Sequence, residues 1–368
     1  MELFLKQLTI FLIIFIFTAC GGGGTSDNSQ ESDRVRFSSF YNYEDAEDNS
    51  SQRWKIRSGV EGDIENIYDS TAQSRVIKFR AGGSYMIGAR GGEGAWQDTQ
   101  NRTLSLRINS HLAETIYIAV DTKDGARTIF YRTDTPNRGL KHGFIGGIHH
   151  GLGASITDGR WRTITRDLVA DLHDAEPDNE LLAVNGLIHN GGEGTMIDDI
   201  ILYNPIKTSY LEKEIEVEDY YQISLDNPKD HILQWSFRGF GATPHILSAE
   251  PDERGEIEDP HAFEFRVTVE TDHGERVLSY TLGLEDRGLS EDHSEIHHAL
   301  GDDRTIGSVW AGDDPINTMG LWQRVTRDLQ EDIYDFEPEN RLLRVKRFEV
   351  KNHGSIDKIQ MFSGIKAY

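Results

Sequence analysis

The chain of 368 residues has a single cysteine, Cys20, and only nine prolines. One cysteine rules out a disulfide framework in any compartment, so whatever folds must be held by its core. Long hydrophobic runs are also missing. The apolar stretch from Leu8 to Ala19 is broken at Thr9 and Thr18 and falls well short of the roughly 20 residues a helix needs to cross a bilayer. Basic side chains are scarce, with 38 Lys and Arg against 62 Asp and Glu and a formal charge of -24. That balance excludes nucleic acid as a partner, because tracking phosphates needs Lys and Arg concentrated on one face. The acidic surplus suits solubility outside the cell and offers carboxylates to hard cations such as calcium. No Gly-x-Ser-x-Gly elbow occurs, and no cysteine set could hold zinc.

The short apolar run ends at Phe17-Thr18-Ala19-Cys20 and reads as a signal-peptide core. These residues resemble the lipobox of bacterial lipoproteins, where small residues precede a cysteine that accepts diacylglycerol. The resemblance implies that residues 1–19 are a signal peptide and that lipid on Cys20 holds the protein to a membrane. Residues 20–36 open Cys20-Gly21-Gly22-Gly23-Gly24-Thr25-Ser26, a composition of flexible tethers. Gly21 in place of Asp after the cysteine implies the outer membrane, with the cell surface as the expected location.

The rest of the chain repeats itself. Trp161-Arg162-Thr163-Ile164-Thr165-Arg166-Asp167-Leu168 answers to Trp322-Gln323-Arg324-Val325-Thr326-Arg327-Asp328-Leu329, and Glu176-Pro177 answers to Glu337-Pro338. Upstream, Ile148-His149-His150-Gly151-Leu152-Gly153 matches Ile296-His297-His298-Ala299-Leu300-Gly301. Two copies are expected, 37–205 and 206–368. Copy two has a shorter opening and a long insert carrying Trp310. Leu104, Leu106 and Ile108 alternate with polar residues, as do Leu233, Trp235 and Phe237, which is the period of strands. Only Asp167 to Glu176 and Asp328 to Glu337 suggest a short helix or turn, each stopped by a proline. The expected fold is all-β, with two tandem sandwiches from an internal duplication.

Tyr43-Glu44-Asp45 followed by Trp54, with a closing strand Ile197-Asp198-Asp199-Ile200, resembles the jelly-roll carbohydrate-binding modules of galactose-binding-like architecture. In that superfamily an early Glu and a last-strand Asp clasp a structural calcium, which here implies Glu44, Glu47 and Asp198. A solvated acidic turn is the other reading of those acids. The His-His-x-Leu-Gly and Thr-Arg-Asp-Leu signatures also resemble repeats in secreted bacterial proteins of unassigned function.

Sugar rings stack on aromatic faces while their hydroxyls take hydrogen bonds from His, Arg, Asn or Asp. The candidate carbohydrate contacts are Trp96, Tyr131, His149 and His150 in copy one, with Tyr280, His297, His298 and Trp310 in copy two. Adjacent strand residues point to opposite faces, so neither His pair can turn both rings on one metal unless the glycines bend the chain. Arg166 and Arg327 are expected to bond carboxylates structurally, with Asp171 and Asp332 as the partners. The functional expectation is an envelope lipoprotein that binds glycan without catalysis. A jelly-roll lyase or hydrolase using the His pairs and an adhesion or scaffold lipoprotein remain as alternatives.

Overall fold

In a computed structural model of the chain, the described residues are 37–60, 63–133, 139–142, 147–152, 154–239, 264–281, 288–299, 309–311, 314–316, 322–351 and 354–364. Cys20, the expected signal peptide and the tether lie outside them. Besides one turn of 3-10 helix and two short α-helices, the described elements are strands.

The first half contains two sheets. One runs in the order Trp161–Asp167, Thr103–Asn109, Met196–Pro205, Ser74–Phe79, Ile64–Asp69, and Phe37–Glu44 pairs with the later part of Met196–Pro205. The other runs Trp54–Ser58, Gly83–Gly88, Leu181–Gly191, Thr115–Thr122, Gly125–Arg132, Gly147–Gly151, Gly139–His142. The sheets face each other because alternate residues are apolar. Leu104, Leu106 and Ile108 of one sheet join Ile116, Ile118 and Val120 of the other in a single buried cluster.

The second half repeats this order of strands. Tyr220–Asn227, Leu342–Lys351, Glu264–Thr271, Gly274–Thr281, Glu295–Ala299 and Gly288–Leu289 form one sheet. It is opposed by Thr208–Ser209, Gly354–Phe362, Ile232–Gly239 and Gln323–Asp328, and Ile215–Val217 also pairs with Gly354–Phe362. Its core is more aromatic, with Trp235 packed 5.3 Å from both Phe265 and Phe348. Each half turns from one central strand to the next through a tight hairpin whose glycine, Gly125 or Gly274, has φ +102, a conformation open to Gly.

The two helices follow from two aspartates. Asp167 ends a strand and caps α1 (Leu168–Ala175), its Oδ1 accepting from the amides of Val169 and Ala170 at 3.1 and 3.2 Å. Asp328 caps α2 (Leu329–Phe336) in the same way. Four residues beyond each cap a second aspartate turns back on the strand. Arg166 donates to Asp171 through Nε at 2.9 Å and Nη2 at 2.6 Å, and Tyr131 donates to the same carboxylate at 2.6 Å. Arg327, Asp332 and Tyr280 repeat the arrangement. His150 completes the first network, its Nε2 donating to the Asp171 carbonyl at 3.0 Å while Nδ1 lies 3.4 Å from Arg166. Burial and the neighbouring guanidinium hold this imidazole neutral, lowering its pKa to about 4.

The halves belong to one compact unit, joined by polar contacts. Lys207 bonds the outer oxygen of Asp167, which also accepts from Gln234 Nε2 at 3.2 Å. Arg162, 3 % exposed, crosses to α2 and meets Asp335 at 2.8 Å. Residues that alternate with the core on these strands, such as Ser105 and Thr165, are buried where sequence alternation implied solvent.

Removing one partner of a buried ion pair leaves a charge without compensation. Arg166→Met should destabilise the fold by about 3–5 kcal/mol, while Arg166→Met combined with Asp171→Leu should recover most of the loss. Chemical denaturation of the two variants checks this, and equal destabilisation in both would refute it.

Candidate functional site

A groove of about 860 Å³ opens where strand Phe37–Glu44 meets the loop from Gly88 to Asn101. Both walls are fixed by buried hydrogen bonds. Glu44 is fully buried at the strand end, its Oε2 accepting from Trp54 Nε1 at 3.0 Å and its Oε1 from the Ala46 amide at 2.9 Å. These bonds pin the connection between two strands of different sheets. Burial raises the Glu44 pKa, against the lowering effect of the Ala46 amide and Arg53.

The opposite wall starts at Gly88, φ +78, where a β-carbon would lie 2.7 Å from both the Asn185 carbonyl and Trp96 Nε1. Only glycine fits there. The amide of Trp96 donates to Asn185 O at 2.8 Å, and Asp98 and Val184 exchange backbone bonds, so the loop is stitched to strand Leu181–Gly191. The Asp98 carboxylate then accepts from the amides of Gln100 and Asn101, from Asn101 Nδ2 and from the Tyr43 hydroxyl. Burial opposes ionisation of Asp98, but these donors outweigh it and keep the pKa below the ordinary value.

Along the groove runs an aromatic strip. Tyr43 stacks on Trp96 with ring centroids 3.9 Å apart and planes at 20°, and Tyr41 lies 4.6 Å from Tyr43. Tyr41 is 58 % exposed and Phe40 56 %. Amides and carboxylates surround the strip, including Asn42, Gln97 and Gln100, with Asp45 and Arg53 at one side. An apolar stripe bordered by directional donors and acceptors fits a ring that is apolar on its face and polar at its rim.

Of the residues nominated from sequence, Trp96 lies in this groove. Tyr131, Tyr280, His150 and His298 do not reach solvent, being at most 1 % exposed, so they are corrected from ligand contacts to core residues. Their hydroxyls and Nε2 atoms are spent on Asp171 and Asp332. His149 and His297 point outward as strand alternation requires. His149 sits 5.1 Å from Phe130, which is 5.7 Å from Tyr117, a half-buried aromatic row on the outer sheet face. The second half has Arg266, Ser279 and His297 at those register positions, with Arg266 paired to Glu295, so the two faces differ in chemistry. Trp310 belongs to the short strand Val309–Ala311, and its side chain lies outside the described residues.

Glu44, Glu47 and Asp198 do not converge as calcium ligands. Glu44 serves Trp54 and Ala46, and Glu47 accepts from the Arg75 amide. Asp198 accepts from Ser74 at 2.8 Å and shares the guanidinium of Arg107 with Asp199, each at 3.3 Å. The donor set therefore does not fit the ion, because a fixed cation already stands between the last-strand acids. Among the described residues one group, His298, Asp332 and Asp335, brings three ligand atoms within 4.8 Å. Asp332 is there bidentate to Arg327, and Asp335 meets Arg162. His293 and His297 have the four-residue spacing of a helical metal pair, but they occupy a turn and a strand, where that spacing does not align side chains.

Sequence reasoning misses Tyr41, Tyr43, Asp98 and Gln100 as groove residues. Their signal is the aromatic run Phe40-Tyr41-Asn42-Tyr43 directly before Glu44, a segment whose acids are its more conspicuous feature.

No protein-family model matches the chain, and no curated protein sequence matches it. Among solved structures it is similar to the family 11 carbohydrate-binding module of the cellulosomal cellulase Lic26A-Cel5E of Clostridium thermocellum, with 12% identity, 45% of this chain and 96% of that one covered, and a TM-score of 0.26. A family 11 module from Clostridium thermocellum in complex with a beta-1,3-1,4-mixed-linked tetrasaccharide gives 11%, 44%, 94% and 0.25. A cycloalternan-forming enzyme from Listeria monocytogenes, in complex with a pentasaccharide substrate, gives 7%, 82%, 21% and 0.18.

Burial, and the charge of Asp199 beside it, raise the Asp198 pKa to about 7. The folded state then holds a proton that the unfolded chain has lost. This contribution is complete below the unfolded value and disappears as pH rises through the folded one. Asp198→Asn should flatten the fall in melting temperature between about pH 4 and about pH 7, a change that thermal scans across that range would show. An unchanged slope would place the titration elsewhere.

Proposed function

We propose that this chain is a non-catalytic carbohydrate-binding protein of the cell envelope, built as two jelly-roll-type sandwiches from a duplication and held to a membrane through lipid on Cys20. The observation that supports the binding reading is the aromatic strip of Tyr41, Tyr43 and Trp96 inside a groove bordered by amides. Tyr41 offers an exposed apolar ring backed by the stacked Tyr43 and Trp96, and the surrounding amides give hydroxyl partners.

The groove belongs to the first half. It is made from the segment before Trp54, for which the second half has no sequence counterpart, so the protein is proposed to bind one glycan chain per molecule. Non-catalysis is favoured by the burial of His150 and His298, which removes them as a base for a lyase. The sheet face with Tyr117, Phe130 and His149 is a second aromatic surface in the same half.

Titration calorimetry of the soluble form lacking residues 1–20 against a glycan panel tests the reading. Binding with a stoichiometry near one is expected, and Tyr41→Ala should weaken it by about tenfold, or ~1.4 kcal/mol, without changing the melting temperature. Full affinity in Tyr41→Ala would move the site away from the groove. For the anchor, Cys20→Ser should release the protein from the membrane fraction. Retention in that fraction with the signal peptide removed would sink the lipoprotein reading.

A further inference from the structure

Resting on that reading, we infer that the groove takes an uncharged glycan and rejects chains carrying a uronate or sulfate on their sugars. The groove offers no uncommitted cation on its described walls. Arg53 is the cationic side chain lining it, and its charge is already matched by carboxylates. Nη2 donates to Asp48 at 2.9 Å, Nη1 donates to the Tyr43 carbonyl at 3.2 Å, and the Glu44 carboxylate lies 3.6 Å away. Two carboxylates, Asp45 and Asp98, line the same space. Asp98 is ionised, since four donors stabilise its charge against the effect of burial. At the rim, the ammonium of Lys55 lies 3.5 Å from where a β-carbon on Gly94 would sit. Behind the wall the Arg102 guanidinium is spent on the carbonyls of Asp98, Asn101, Thr99 and Leu182 and stands against the charge of Asp98. Lys55 and Arg102 thus face Asp45 and Asp98, while Arg53 is shared by Asp48 and Glu44, so the surplus stays negative.

An acidic polysaccharide repeats its charge along the chain. Seating several sugars on the strip would bring anions beside Asp45 and Asp98 with loss of water and no guanidinium there whose charge is not already matched. Screening weakens this repulsion without reversing it, because charges brought into contact lie within a Debye length of about 10 Å at moderate salt. Neutral hydroxyls meet no such penalty. They find an acceptor in Asp45 and partners in Gln97 and Gln100, and a ring face needs only the exposed Tyr41.

The soluble form lacking residues 1–20 would be titrated with neutral hexasaccharides (cello-, xylo-, manno- and maltohexaose) and with oligogalacturonate, oligoalginate and chondroitin sulfate fragments. Low and moderate ionic strength would both be used, with Tyr41→Ala in parallel. Expected is binding of at least one neutral series, an affinity that hardly changes with salt, an about tenfold loss in Tyr41→Ala, and no heat from the acidic series. Tighter binding of an acidic series, lost in Tyr41→Ala and weakened by salt, would overturn this inference while leaving the groove a glycan site. Failure of both series to bind would overturn the glycan reading itself.

Discussion

Two arginines, Arg166 buried and Arg327 partly so, each closed on an aspartate one helical turn into the following helix, hold the two halves in shape. A guanidinium and a carboxylate can be taken out of water only if each satisfies the other, and the bidentate geometry of Arg166 with Asp171 does so. Because the arginine is on a strand and the aspartate on a helix, the pair fixes the helix over the end of the sheet. The spare carboxylate bonding goes to Tyr131, and the carbonyl of Asp171 accepts a hydrogen bond from His150 Nε2. Both rings are thereby committed to the interior. The neighbouring ring on the strand, His149, turns to the opposite face of the sheet, where it packs on Phe130. Arg327 and Asp332 impose the same order on Tyr280 and His298.

Asp167 extends this constraint beyond its own half. One carboxylate oxygen caps the helix, and the other receives Lys207 and Gln234. A single side chain therefore starts a helix and joins the halves. Burial works to raise the Asp167 pKa, but Lys207 and the donors at the cap outweigh it and lower the value to about 2, so the join persists at any pH near neutrality. Arg162 makes the reciprocal crossing, from a strand of the first half to α2 of the second. The junction is polar and charged, unlike the two apolar cores it connects.

The groove depends on buried polar bonds in a different way. Glu44 and Asp98 are acids spent on donors inside the fold, and their part in the strip is to place its rings. Glu44 positions the strand end, and Asp98 positions Tyr43 through its hydroxyl, which sets the tyrosine flat against Trp96. A loop and a strand from different sheets thus present one continuous aromatic surface.

The strand periodicity, the hairpins at Asp124-Gly125 and His273-Gly274, the proline-stopped helices and the Arg166 to Asp171 bond were readable in the sequence, because each depends on neighbours a few residues apart. The repeat could also be read, since matched segments keep matched order. Which aromatics face solvent could not. Tyr131 and Trp96 look alike in a linear chain, and their fates differ because one strand is covered by a helix while Trp96 sits on a loop stitched to the sheet beside the groove. Glu44 and Asp198 were legible as acids at two chain ends, yet their side chains turn to Trp54 and to Arg107. The tertiary structure alone decided this, because a carboxylate desolvated at a sheet end goes to whichever donor packing brings within reach.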